Sequence, residues 1–111
     1  MITTRDDNQQ KTEEKYIVET TVQLQDGTTN DVLELFKSTN PELVKEEPDW
    51  ISASFSSVEE EDVVVVRAEW RSKKSYLEFS NSDKFKNTMS EFRKNFAEKP
   101  TVTITRVLFE M

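Results

Sequence analysis

The side chains with chemistry to offer in this chain are mainly aromatic. Its 111 residues include seven Phe, two Trp and two Tyr, but no Cys and no His. Without Cys there is no disulfide, thiol nucleophile or thiolate metal site, and without His the commonest metal ligand and neutral-pH general base are missing. What remains is a chemistry of apolar walls, hydroxyls and one prominent indole. Trp70 closes a β-branched run, where its ring can wall a pocket for a flat aromatic molecule and its N–H can meet a polar group. The same ring would serve equally as plain core. Phe85, Met89, Phe92 and Phe96 recur at spacings of four, three and four, one stripe of a helix, with Phe79 on a shorter helix before them. They line a hydrophobic cavity or fill a core, and burial worth about 1.5–3 kcal/mol per side chain accounts for them without a ligand. Thr20 and Glu19 are neighbours on a strand and point to opposite faces, so of the two only Thr20 is expected to reach a pocket.

Those residues need a scaffold, and the periodicity supplies one. Tyr16, Val18, Val22 and Leu24 alternate with Glu19, Thr21 and Gln23 until Asp26-Gly27 ends a first strand. Thr28 with Asp31 resembles a capping box, and Val32, Leu33, Leu35, Phe36 and Leu43 follow at helical spacing, with Pro41 expected to kink or split the helix. Trp50 to Val58 forms a second strand, Ile51, Ala53 and Phe55 against Ser52, Ser54 and Ser56, and Glu59-Glu60-Glu61 turns it as a solvated hairpin tip. Val63 to Val66, Ala68 and Trp70 make a third, central strand. Ser72 caps a short helix carrying Tyr76, Leu77 and Phe79, and Ser82-Asp83 caps a longer one that Lys99-Pro100 stops. Val102, Ile104 and Leu108 alternate in a last strand that runs to the C-terminus.

The fold class is therefore α+β, a ferredoxin-like βαββαβ chain with a four-stranded antiparallel sheet and both helices on one face. Residues 1–15 are almost wholly polar and read as a disordered tail, leaving 16–111 as one domain. No stretch approaches a membrane span and no hydrophobic leader opens the chain, which points to the cytoplasm. With 15 basic against 22 acidic residues the formal charge is −7, so nucleic acid is not an expected partner. Lys73, Lys74, Lys84 and Lys86 bunch locally and read as a solvated helix face. If Val64, Val66, Ala68 and Trp70 face the helices, Val63 and Val65 face the open side of the sheet, where a second copy would cover them in a homodimer.

Glu69-Trp70-Arg71-Ser72, followed by Tyr76 and by Ser82 three residues before Phe85, with Glu47-Pro48 ahead of the second strand, resembles the antibiotic biosynthesis monooxygenase family of dimeric α/β-barrel proteins. The resemblance covers about residues 16 to 110. It implies two protomers forming a dimeric α/β barrel, with a pocket between each sheet and its helices. Family members include oxygenases that oxidise anthrones or quinols without metal or flavin, haem-degrading enzymes, and proteins of unknown activity. Tyr76 matches a position where anthrone-oxidising members carry Tyr, while Val66 stands where they have Asn. Phe79 and Lys84 replace two His found in many members. Thr20 and Met89 align with the Asn and the haem-ligating His of the haem-degrading branch, which speaks against haem degradation.

The expected function is that of a monooxygenase of an aromatic quinol- or anthrone-like small molecule, with no metal and no cofactor. Trp70, Tyr76 and Thr20 are the expected catalytic residues, and Val66, Phe79, Phe85, Met89 and Phe92 line the substrate site. The alternative is a non-enzymatic dimer that binds a hydrophobic ligand or has lost the pocket. A cavity beside Trp70 favours the first, and a core packed solid by Phe79, Phe85 and Met89 defeats it.

Overall fold

A computed structural model describes residues 14–58 and 61–111. The expected tail lies outside the described residues except for Glu14 and Lys15, as do Glu59 and Glu60 of the acidic hairpin tip. The elements are β1 (Tyr16–Gln23), α1 (Thr29–Val44), β2 (Trp50–Ser57), β3 (Val63–Trp70), α2 (Lys73–Ser80), α3 (Asp83–Arg93) and β4 (Thr101–Arg106). The strands form one antiparallel sheet in the order β2-β3-β1-β4. β1 and β3 thus occupy the middle, as the valine run requires. This is the ferredoxin-like α+β arrangement, with short α2 added before α3.

The core lies on one side of the sheet. Val22, Leu24, Val32, Val64 and Phe92 are buried together, with Phe36, Phe55, Met89 and Phe96 packed against them. Pairing fixes the phase: Val18, Thr20 and Val22 stand opposite Ala68, Val66 and Val64. A shift of one residue would turn the whole set to the other face. On that other face Val63 and Val65 are half-buried beside the Arg67–Glu69 ion pair of 3.3 Å. Lys15 adds contacts to Glu69 at 3.5 Å and Glu110 at 3.2 Å.

Several local expectations need correction. α1 runs unbroken through Pro41. A proline inside a helix costs about 3 kcal/mol, but Leu43 and Val44 beyond it are buried, and about 1.5–3 kcal/mol from each offsets that loss. Thr28 occupies the N-cap but makes no capping bond with its side chain; its hydroxyl donates instead to the Gln25 carbonyl at 2.8 Å. α3 stops at Arg93, well before Lys99-Pro100. The cause is competition from the end of β1, where Gln25 N–H donates to the Asn95 carbonyl and Ala97 N–H to the Gln23 carbonyl, both at 2.8 Å. Phe96 therefore sits in a bridge with Leu24, outside the helix. β4 ends at Arg106, and Leu108 is 83% exposed. In β2 a bulge between Trp50 and Ser52 makes Ile51 the extra residue, so Trp50 rather than Ile51 shares the helix-facing side with Ala53 and Phe55.

Asp62, which the sequence did not single out, ties the β2–β3 connection to the β1–α1 turn. Its carboxylate accepts from the Thr29 hydroxyl at 2.6 Å and from Gly27 N–H at 3.0 Å, while its carbonyl accepts from Leu24 N–H at 2.7 Å. Gly27 adopts φ +76, a left-handed conformation that favours glycine. The Thr29 and Gly27 bonds hold the Asp62 carboxyl below its usual 3.8. A lowered pKa in the folded state means stability that is present above 3.8 and lost as pH falls through the folded value. Asp62→Asn is accordingly expected to be less stable than the wild type in urea unfolding near neutral pH, with the gap narrowing below pH 3.8. A gap that stays constant across that range contradicts this account.

Candidate active site

A cavity of about 520 Å³ lies between the sheet and the helices. The sheet supplies its floor through the inward positions of β1 (Val18, Thr20, Val22) and β3 (Val64, Val66, Ala68, Trp70). The bulge in β2 brings Trp50 to the same wall, directly across from Trp70. Strict alternation from Ile51 hides this position, because only an extra residue shifts the phase of Trp50. Phe36, Thr39 and Asn40 of α1 enclose the hollow from above. Thr39 and Asn40 are polar wall residues that the apolar helix pattern did not reveal. The Thr39 hydroxyl donates to the Leu35 carbonyl at 2.8 Å, which leaves its oxygen able to accept from a guest.

Trp70 and Val64 are the most enclosed of the wall residues, each at 1% exposure, and Trp70 is the larger. Around Trp70 the aromatic rings gather. Its ring meets Tyr76 edge-on at a centroid distance of 5.7 Å and Phe79 at 5.1 Å, and Phe79 in turn meets Phe85 at 5.1 Å. A second pair, Phe36 and Phe55 at 5.3 Å, stands elsewhere on the wall. These tilted contacts each add about 0.5–1.5 kcal/mol beyond burial and fix the rings in place. They surround the hollow without filling it. The structure thus brings Trp70, Tyr76 and Thr20 to one cavity, and Val66, Phe79, Phe85, Met89 and Phe92 share its wall.

Short helix α2 is tied down at its N-terminal end. The Ser72 hydroxyl caps it by accepting from Ser75 N–H at 3.1 Å, and the Ser75 hydroxyl donates to Asp49 at 2.5 Å. Arg71 N–H donates to the Asp49 carbonyl at 2.7 Å, and the Arg71 guanidinium donates to the Pro48 carbonyl at 3.0 Å. Trp70 and Tyr76 are therefore joined to the start of β2 by a short polar network. Ser82 starts α3 by accepting from Phe85 N–H at 3.2 Å. Lys73, Lys74, Lys84 and Lys86 are exposed, as a solvated face should be, and Lys84 reaches the Glu42 carbonyl at 2.6 Å.

The cavity has little acid–base capacity. Among the described residues no carboxylate lines it, and its ionisable groups are Tyr76, Arg93 and Lys99. Burial alone pushes the Tyr76 phenol above its usual 10.0, so it stays protonated and able to donate at neutral pH. Among the described residues no group of three or more Asp or Glu side chains could hold a metal, and no helix is long and apolar enough to cross a membrane.

The sequence profile of a family described as antibiotic biosynthesis monooxygenase matches residues 15–91. No curated protein matches the chain. Among solved structures, a candidate antibiotic biosynthesis monooxygenase from Caulobacter crescentus superposes with a TM-score of 0.76 at 15% identity, covering 94% of this chain and 99% of its own. A conserved protein from Methanosarcina mazei gives 0.74 at 17% identity, over 87% of this chain and 96% of its own. A monooxygenase from Streptomyces coelicolor, in complex with the ligand nanaomycin D, gives 0.73 at 18%, over 86% and 89%. Identities this low speak for the fold alone.

The difference in ultraviolet tyrosinate absorbance between the wild type and Tyr76→Phe is expected to titrate with a midpoint above 10.0. A midpoint at or below that value would mean that the phenol is not shielded as described.

Proposed function

This chain belongs to the antibiotic biosynthesis monooxygenase family, and on that premise we propose that it is a cytoplasmic monooxygenase that oxidises an electron-rich aromatic quinol or anthrone with molecular oxygen. The observation that carries the reading is the apolar hollow of about 520 Å³ with Trp70 and Tyr76 on its wall. Its size falls within the roughly 300–1,000 Å³ usual for small-molecule sites. The bound nanaomycin D of the Streptomyces coelicolor relative supports a small-molecule site in this fold.

In the reaction envisaged, an anthrone CH₂ becomes a carbonyl. One atom of O₂ enters the product and the other leaves as water, carrying the two hydrogens removed from carbon, so the substrate itself is the reductant. The residues have modest tasks in such a reaction. The rings of Trp70 and Phe79 hold the flat substrate and exclude water, which strengthens each polar contact inside. The protonated Tyr76 hydroxyl donates to the substrate oxygen, where negative charge gathers once a proton is lost from carbon. Thr20 offers a second hydroxyl from the floor. With no carboxylate among the described wall residues, the substrate must be acidic enough to lose its proton to water or a weak base, which suits anthrones and quinols.

The same reading includes a homodimer through the open sheet face. Val63 and Val65 are half-buried there, and Phe109 and Met111 beyond β4 are 78% and 110% exposed. Sedimentation at micromolar concentration is expected to show a dimer that Val65→Lys dissociates, and a wild type that sediments only as a monomer contradicts the pairing.

Incubation with a panel of anthrones and quinols is expected to give product in air and none under nitrogen. Tyr76→Phe should slow turnover about 10–100-fold through loss of its donor, and Trp70→Ala should lower it further. Turnover unchanged in both variants contradicts the assigned roles. Binding without any oxygen-dependent turnover would favour the non-enzymatic ligand binder, a reading to which the apolar Val66 on the wall lends weight.

A further inference from the structure

Among the described residues, the charges on the cavity wall are all of one sign. Arg93, the last residue of α3, and Lys99, just before β4, line the hollow, whereas no Asp or Glu among the described residues does. This imbalance is notable in a chain of formal charge −7. Both side chains are also exposed, so they stand where the cavity meets solvent. None of the ion pairs among the described residues engages either of them. The acid next to Arg93 in this region is already used, since Glu91 pairs with Lys94 at 3.4 Å. Glu98 borders a shallow adjoining depression together with Arg93 and Lys99, outside the main hollow.

Strand register sets how far this cationic rim lies from the aromatic end. Val102 stands opposite Thr20, and Thr20 opposite Val66. Trp70 is four residues further along β3, or about 13 Å at ~3.3 Å per residue. Lys99 precedes Val102 in the direction away from Trp70, since β4 runs antiparallel to β1. A single ring cannot touch both ends, while a linear fused-ring system with a substituent can.

We infer that the ligand of this cavity is an elongated aromatic acid, its rings toward Trp70 and its carboxylate at the rim between Arg93 and Lys99. The inference rests on the aromatic-pocket reading above and specifies the substrate class within it. The apolar wall sets affinity for the rings, and the two cations select the charged end and orient it. The oxidisable carbon of the ring system then lies inward of the acid, on the side of the cavity that Trp70 and Tyr76 wall.

Quenching of tryptophan fluorescence by anthraquinone-2-carboxylate and by anthraquinone-2-carboxamide tests this directly, since Trp50 and Trp70 are both on the wall. Exposed charge pairs are individually weak, so the wild type is expected to bind the acid about fivefold more tightly than the amide. That preference should fall below about twofold in the Arg93→Gln, Lys99→Gln double variant and at high salt, with amide affinity unchanged. Equal affinity for acid and amide in the wild type, or a preference that survives in the double variant, overturns the inference and leaves the aromatic pocket standing. If neither probe binds, the aromatic pocket itself fails and the inference with it.

Discussion

The alternation of side chains along β3 is the constraint on which the rest of the structure depends. Pleating sends Val64, Val66, Ala68 and Trp70 to the helix side, and Val63, Val65, Arg67 and Glu69 to the other. Because β3 is paired on both edges, with β1 and with β2, its phase cannot slip without breaking two ladders at once. The floor of the cavity and the composition of the open face are thus two results of one register. Trp70 comes last on the strand, where the chain turns into α2, and so its ring is fixed by the sheet on one side and by Tyr76 and Phe79 on the other.

Protein interiors are ordinarily close-packed, and a hollow ringed by Trp, Phe and Met is not what folding alone would keep. Here the aromatic side chains lean on one another around the space, and α2 is pinned by Ser72, Asp49 and Arg71 at a distance that holds it open. The polar resources are few and differ by place: Thr20 on the floor, Asn40 and Thr39 on α1, a neutral Tyr76 hydroxyl near Trp70, and two cations at the rim. That distribution suits a guest that is largely apolar and has its polarity at its ends.

Much of the scaffold was legible because the signals were strong and local. The valine run gave the central strand, Ser72 and Ser82 marked both helix starts, and the parity of β1 and β3 placed Thr20, Val66 and Trp70 on one side. Departures came where tertiary bonding overrode local pattern. Burial of Leu43 and Val44 carried α1 past Pro41, and the free end of β1 took Asn95 and Ala97 out of the helix that the aromatic stripe implied. A bulge at Ile51 moved Trp50 to the cavity, and nothing in the residue types announces a bulge. Asp62 was invisible for a similar reason, since its bonds to Leu24, Gly27 and Thr29 join segments far apart in sequence. Whether the aromatic stripe was core or wall could not be read from spacing, because both need the same residues.

On this reading the hollow beside Trp70 receives a flat aromatic guest. Nuclear Overhauser contacts in the complex with a dihydroxyanthraquinone test it most directly. Contacts are expected from the ligand ring protons to the Val66 and Met89 methyls and to the Trp70 indole, all on the same wall. Contacts confined to the open face of the sheet, around Val63 and Val65, or none at any saturating ligand concentration, would contradict it.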